Sequence, residues 1–389
     1  MLRYLNCLNK VKFSPRIWAD LQLQKVLETP SLNWFQLVHK TRFERRTVIE
    51  MDPFKKIELG NTGVTVPRLG IGTAPLSGAT LGDGLYGGTA HDEAVRILNR
   101  AQELGISYVD TAPLYGTGRA EARVGHSSYS STDRDSFVIS TKIGRVLDPV
   151  SDRVMAPDDP DGIGELVAVN SWTRDNVLRS LEDSLKRLNT ERIDIVYVHD
   201  PDVETYGKEQ ALNEAFPTLI ELKEQKVIKA IGCGMNEWQM PLEFIQRFDL
   251  DIILLAGRYT LLDHSGLSRF LPECVKRNVK IAVGGPYNSG ILARDLSKPV
   301  TFDYEPASEN LVTQARELTK ICLDHQVDLK AVALQFVLAH PAIATAIPGA
   351  QSIAELEQNI KMVQQNIPTT LWDNMRDADL IPQNAPTPS

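Results

Sequence analysis

Ile193-Asp194-Ile195-Val196-Tyr197-Val198-His199 is a short apolar run that ends in a reactive side chain, and two stretches upstream share its design. Tyr108-Val109-Asp110 leads into Thr111-Ala112-Pro113-Leu114-Tyr115-Gly116, and Phe137-Val138-Ile139-Ser140-Thr141 ends in Lys142. Runs of this length, rich in β-branched and aromatic residues, read as buried strands. Successive buried strands belong to a parallel sheet, so Asp110, Tyr115, Lys142 and His199 are expected to collect at one rim of it.

Outward from these three, strand-like runs recur near 68–72, 106–110, 137–142, 193–199, 227–232, 251–256, 279–284 and 343–347. Helical periodicity separates them over 92–104, 173–188, 210–226, 237–248, 267–278, 329–339 and 353–363, with a short helix near 120–125. Strands alternating with helices in this number predict an α/β fold, a (β/α)8 TIM barrel whose site lies at the strand C-termini. No strand runs into a Gly-x-Gly-x-x-Gly helix start, which disfavours a doubly wound dinucleotide fold. Residues 56–66 alternate around Asn61 and Gly63 and read as an N-terminal β-hairpin that plugs the barrel bottom.

Two long catalytic-face segments interrupt the repeat. Residues 144–171, rich in Pro, Asp and Gly, far exceed an ordinary βα loop and read either as a lid or substrate wall or as a disordered surface insertion. Residues 301–325 add a segment with a helix over 309–325. The barrel is expected to span residues 51–380, followed by a flexible tail over 381–389.

Hydrophobic content of 42% is ample for a core, and a net charge of −8 argues against nucleic acid as a partner. Cys7, Cys233, Cys274 and Cys322 show no metal or redox spacing and are expected to be free thiols in a reducing, cytoplasmic compartment. No apolar run approaches the roughly 18 residues of a membrane-spanning helix. Residues 1–50 carry nine Lys/Arg against four Asp/Glu. A mitochondrial transit peptide is one reading of such a start, weakened by Asp20, Glu28, Glu44 and Glu50. The other, preferred, is a dispensable and poorly ordered extension.

The residue types at the rim suit proton transfer at a carbonyl or alcohol. Moving hydride to or from a carbon changes the charge on its oxygen, so a neighbouring group must supply or remove a proton. Tyr115 is the candidate. Its phenol is too weak an acid to act as a base at neutral pH unless an ammonium such as Lys142 stands beside it. Asp110 would hold Lys142, and His199 would orient the substrate oxygen.

This set, in this order, resembles the catalytic tetrad of the aldo-keto reductases, and the likeness extends from Phe54 to about Leu380. It is carried further by residues 180–188 with 192–202, by Leu255-Ala256-Gly257-Arg258-Tyr259-Thr260-Leu261-Leu262-Asp263, and by Gly284-Gly285-Pro286-Tyr287-Asn288-Ser289-Gly290-Ile291-Leu292. These motifs look like the branch holding the aldose 1-dehydrogenases and pyridoxal 4-dehydrogenase. The resemblance implies oxidation of a sugar at its anomeric carbon to a lactone, with a small-molecule sugar as partner. Pyridoxal oxidation or general aldehyde reduction is the alternative. A third reading is a cofactor-binding protein like the channel β-subunits, whose signature motifs are not those found here.

The resemblance also implies a nicotinamide cofactor. In typical members the segment after the eighth strand reads Ile-Pro-Lys-Ser and then supplies an Arg, the two basic groups that grip the 2′-phosphate of NADP. Here residues 347–359 place Gly349 at the lysine's position and Glu355 at the arginine's. An anion there repels a phosphate, so NAD is expected, with NADP the other possibility. Gln358 and Asn359 match the adenine-binding pair. Gly284 stands where the family has a stacking aromatic and Ala256 where it has a carboxamide-binding Gln. Tyr287 and Asn236 are the expected substitutes, with Pro286, Asn288, Ser289 and Gln351 completing the cofactor set. No metal site is expected.

Overall fold

The parallel strands form where the apolar runs predict them, and their register brings the reactive residues level. The computed structural model describes residues 51–78, 88–131, 133–150 and 159–388. Residues 1–50, read as an extension, and residues 151–158 of the long insertion lie outside the described residues. Strands β3 (Ile71–Gly72), β4 (Tyr108–Asp110), β5 (Val138–Ile143), β8 (Ile195–His199), β9 (Ala230–Met235), β10 (Ile252–Ala256), β11 (Lys280–Gly284) and β14 (Ile343–Ile347) pair side by side in that order. Asp110 is level with Ser140, Lys142 with Tyr197, and His199 with Gly234. Parallel bridges Leu69↔Ala346 and Gly72↔Gly349 bring the first strand against the last and close the barrel.

Helices α1 (His91–Glu103), α2 (Arg119–Gly125), α3 (Arg174–Arg187), α4 (Phe216–Glu224), α5 (Gln239–Arg247), α6 (Phe270–Arg277), α7 (Glu309–Asp324), α8 (Leu329–Ala339), α9 (Ile353–Gln364) and α10 (Thr369–Asp377) accompany the strands. Helix α8 is buried over eight consecutive residues, Ala331–Leu338, as expected of a helix enclosed by its neighbours. The Asp328 carboxylate accepts from Lys330 N at its start, a cap worth about 1 kcal/mol. Inside the barrel, Tyr108, Ile195, Tyr197, Leu254, Ala282 and Ile347 pack in one cluster with Leu59, Val64 and Val66. The last three flank or lie on the antiparallel hairpin β1 (Lys56–Glu58) and β2 (Thr65–Pro67), so the hairpin plugs the barrel as expected.

Several expectations need correction. The segment over 144–171 is no plain loop: β6 (Arg145–Pro149) and β7 (Leu166–Asn170) pair antiparallel along its base. Pro160, Gly162 and Gly164 fall between the two strands and mask their alternation. Gly144 opens this hairpin with φ +111, and a Cβ there would lie 2.1 Å from Trp172 Nε1, so only glycine fits. The fifth barrel strand runs three residues later than expected because Lys226, at φ 62, still belongs to the turn after α4. A second short hairpin, β12 (Thr301–Phe302) with β13 (Glu305–Pro306), precedes α7. Helix α10 was not anticipated, since its Thr, Asp and Asn residues have weak helix propensity; Leu371, Trp372 and Met375 bury one face and hold it. Nor is the C-terminus a loose tail. Ile381 and Ala385 are buried, and Arg376 donates to Ala385 O and Thr387 Oγ1.

Candidate active site

Strand register and burial together assemble the group expected to handle the proton. Lys142 Nζ lies 2.7 Å from Asp110 Oδ2 and donates also to Thr111 O at 2.8 Å. Both side chains are essentially buried, at 1% and 2% exposure. A charge pair taken out of water this completely survives only if both partners are satisfied; removing one is expected to cost about 3–5 kcal/mol. Burial pushes the Asp110 carboxyl above its ordinary range, while Lys142 and Ser140 hold it back. The ammonium also stands 4.7 Å from the centre of the Tyr115 ring, and that ring meets His199 edge to face at 6.0 Å. All four residues expected at the rim therefore come together.

Behind Asp110 runs a string of hydroxyls inside the barrel. Ser140 Oγ donates to Asp110 Oδ1 at 2.6 Å, Tyr108 OH lies 3.0 Å from Ser140 Oγ, and Tyr197 OH lies 3.1 Å from Tyr108 OH. Burial pushes both phenols well up, so they stay neutral.

His199 is fixed through its backbone. Its carbonyl accepts from Trp172 Nε1 at 3.1 Å and from Arg145 Nη1 at 3.3 Å, and Arg145 lies 5.3 Å over the Trp172 ring. Burial first, then the positive charges of Lys142 and Arg145, hold the imidazole well below its usual range, so it is neutral. Its Nδ1 is buried without a hydrogen-bond partner among the described residues. Its Nε2 is 3.3 Å from Asp200 Oδ2. Burial raises the Asp200 carboxyl to about 6.

A cavity of about 310 Å³ opens beside this group, and its lining includes Asp110 and Tyr115 as well as Gln358 and Asn359. Gly284, Pro286, Tyr287, Ser289, Gly349, Gln351 and Glu355 of the expected cofactor set also line it. Asn288 does not. It is buried and donates to Gly257 O at 3.2 Å, fastening the turn after β11. Asn236 is exposed and is not part of the lining. Tyr287, expected to substitute for a stacking aromatic, donates to Asn359 Oδ1 at 2.8 Å and so ties the turn after β11 to α9.

Glu355 has a second duty that spacing alone does not show. Its carboxylate accepts from Gln351 N at 2.8 Å while Ser352 Oγ accepts from Glu355 N at 3.2 Å, a reciprocal cap on α9. Gly349 is likewise constrained by packing, since a Cβ would lie 2.3 Å from Pro75 Cγ. The basic groups that face the cavity are Arg294, exposed after the turn that follows β11, and Lys330, at the start of α8. Neither was singled out from the sequence. Arg258, the other cation near the expected site, is engaged by Asp303 at 2.7 Å.

A model of the Aldo/keto reductase family matches residues 68–379, and the chain belongs to that family and is an oxidoreductase. Its members use nicotinamide cofactors. Among curated proteins, the chain is 36% identical to a pyridoxal 4-dehydrogenase from Microbacterium luteolum over 344 residues, 84% of this chain and 98% of the relative. It is 34% identical to a D-threo-aldose 1-dehydrogenase from a Pseudomonas species over 325 residues, 82% of this chain and 96% of the relative. An aldo-keto reductase from Bacillus halodurans, solved in its holo form, superposes with a TM-score of 0.65 at 24% identity, covering 83% of this chain and 96% of that one. That last likeness bears on the fold.

The cavity fits a dinucleotide in its chemistry. Gly72, Gly284, Gly285, Gly290 and Gly349 line it without side chains, Arg294 and Lys330 offer positive charge, and Tyr115, the expected proton acceptor, lines it too.

Proposed function

We propose that the protein oxidises an aldose at its anomeric carbon to the lactone, with NAD as hydride acceptor. The observation that carries this reading is that Asp110 and Tyr115 line the same cavity as Gln358 and Asn359. The nicotinamide, when bound, takes up the hydride. Tyr115 accepts the proton of the anomeric hydroxyl, and Lys142 stabilises the negative charge on the phenol oxygen that makes this possible. Asp110 holds Lys142 aimed. Neutral His199 donates a hydrogen bond to the substrate oxygen without adding charge.

Arg294 and Lys330 serve the cofactor's diphosphate, and Gln358 with Asn359 its adenine. The preference for NAD is supported by Glu355, whose cap with Gln351 and Ser352 prevents the carboxylate from swinging away from an incoming phosphate. Pyridoxal is the second substrate reading, favoured by the 36% identity to a pyridoxal 4-dehydrogenase over nearly its whole length. Purified protein tested for NADH production on L-galactose, L-fucose, D-arabinose and pyridoxal decides between the two. Turnover of pyridoxal alone would remove the sugar reading.

A further inference from the structure

Asp200 occupies a position where an aspartate ordinarily does something else. It follows β8 directly and stands at the N-cap of the short 3-10 turn Pro201–Val203, yet its side chain makes no capping bond. An Asp before Pro usually uses its carboxylate in that way. Here the backbone is held in the left-handed region at φ 38, ψ 61, a conformation disfavoured for residues with a Cβ. That places Oδ2 3.3 Å from His199 Nε2, with 19% of the side chain exposed. Departures of this kind collect at functional sites.

The pairing has a defined hydrogen-bonding sense. A carboxylate only accepts, and a carboxylate beside Nε2 favours the tautomer with the proton on Nε2. Nδ1 is sealed, so a substrate oxygen at this imidazole meets Nε2 and shares its proton with Asp200. A donor and an acceptor then stand side by side at the end of β8. Their complement is an oxygen acceptor and a hydroxyl donor on adjacent carbons.

We propose that Asp200 is a specificity-determining residue: with His199 it selects substrates bearing a hydroxyl on the carbon next to the reacting one. The inference rests on the oxidoreductase reading of Tyr115 and His199 and narrows its substrate class to hydroxyls neighbouring a carbonyl or hemiacetal. The charged groups bearing on the carboxylate are Arg145 on β6, Lys142 on β5 and Asp202 in the turn; the first and last oppose each other, and burial outweighs them all. Recognition by the carboxylate is accordingly present above about pH 6 and fades as Asp200 takes up a proton.

The test compares wild type with Asp200→Asn, because asparagine tolerates the left-handed backbone and keeps the shape. Two substrate pairs are used: an aldose that the enzyme oxidises against its 2-deoxy counterpart, and, in reduction, glycolaldehyde against acetaldehyde. Wild type is expected to favour the hydroxylated member of each pair by about tenfold or more in kcat/KM at pH 8. In the variant that ratio should fall toward unity, chiefly through KM, and the wild-type ratio should shrink below pH 6. An equal loss on both members would show that Asp200 only orients His199 and would overturn the proposal, as would an unchanged ratio. If no aldose is oxidised, the sugar reading fails by itself, and the aldehyde pair still decides the role of Asp200.

Discussion

On the β4, β5 and β8 side of the barrel mouth, Asp110, Lys142, Thr111 and Ser140 are locked together by contacts of 2.6–2.8 Å. On the β10, β11 and β14 side, the strands end in Ala256, Gly284 and Ile347, and the lining beyond them is largely glycine and loop. The proposed proton transfer depends on a charge being in one place, and that half holds a buried ion pair, Lys142 with Asp110, whose partners cannot be exchanged. Holding a large flat ligand depends on room, so the other half is built by leaving side chains out. The first kind of region tolerates few substitutions, whereas the second tolerates any that keep the space.

The largest effect should come from the first region. Tyr115→Phe keeps the ring packed against His199 but removes the proton acceptor, and kcat is expected to fall by about 10²–10⁴-fold with cofactor affinity nearly unchanged. Steady-state kinetics with a fluorescence titration of NAD measure both; near-normal turnover would break the contrast. Lys142→Met leaves Asp110 buried without its counter-charge and should lower stability by about 3–5 kcal/mol in denaturant unfolding, besides abolishing turnover. A cost near zero would mean that water reaches the pair.

Asp200 provides a stability test with a definite sign. Its folded-state pKa of about 6 is raised, so its contribution is intact below the unfolded value near 3.9 and is lost as pH rises through 6. Asp200→Asn should therefore stabilise the protein at pH 8, by up to about 3 kcal/mol, with the gain vanishing near pH 4. Thermal melts at the two pH values check this. A variant no more stable than wild type at pH 8 would contradict the buried-carboxylate account.

The smallest effect should come from the second region. NAD is expected to exceed NADP by about tenfold or more in kcat/KM, and Glu355→Arg to narrow that ratio while costing about 1 kcal/mol through the lost cap. Pairing it with Gly349→Lys would confuse the result, since Pro75 occupies the space a Cβ needs. A wild-type preference for NADP would shift the phosphate to Arg294 or Lys330.

The same contrast explains what was legible in the chain. Asp110, Lys142 and His199 each close an apolar run, and such a strand has one way to place its last side chain at the rim, so spacing alone located them. Gly349 and Glu355 were also visible, but only as departures from a family pattern; that one yields to Pro75 and the other caps α9 depends on contacts distant or sideways in the chain. Asp200 lies inside the 192–202 motif, where the pattern gives it no role, and only the backbone angle and the unused cap single it out. Arg294 and Lys330, 36 positions apart, share nothing in sequence and meet only at the cavity wall.

The hydroxyl string behind Asp110 has a consequence for spectroscopy. The Asp110 carboxylate has no hydrogen to give, so Ser140 must point its own toward it. Tyr108 must then point toward Ser140, and Tyr197 toward Tyr108, if both remaining contacts are to hold a hydrogen. Three dipoles are thus aligned along the barrel interior, out of reach of water. In a proton NMR spectrum they should give three hydroxyl resonances that exchange slowly with solvent. Protonating Asp110, or replacing Ser140 with alanine, would release the alignment and move all of them together.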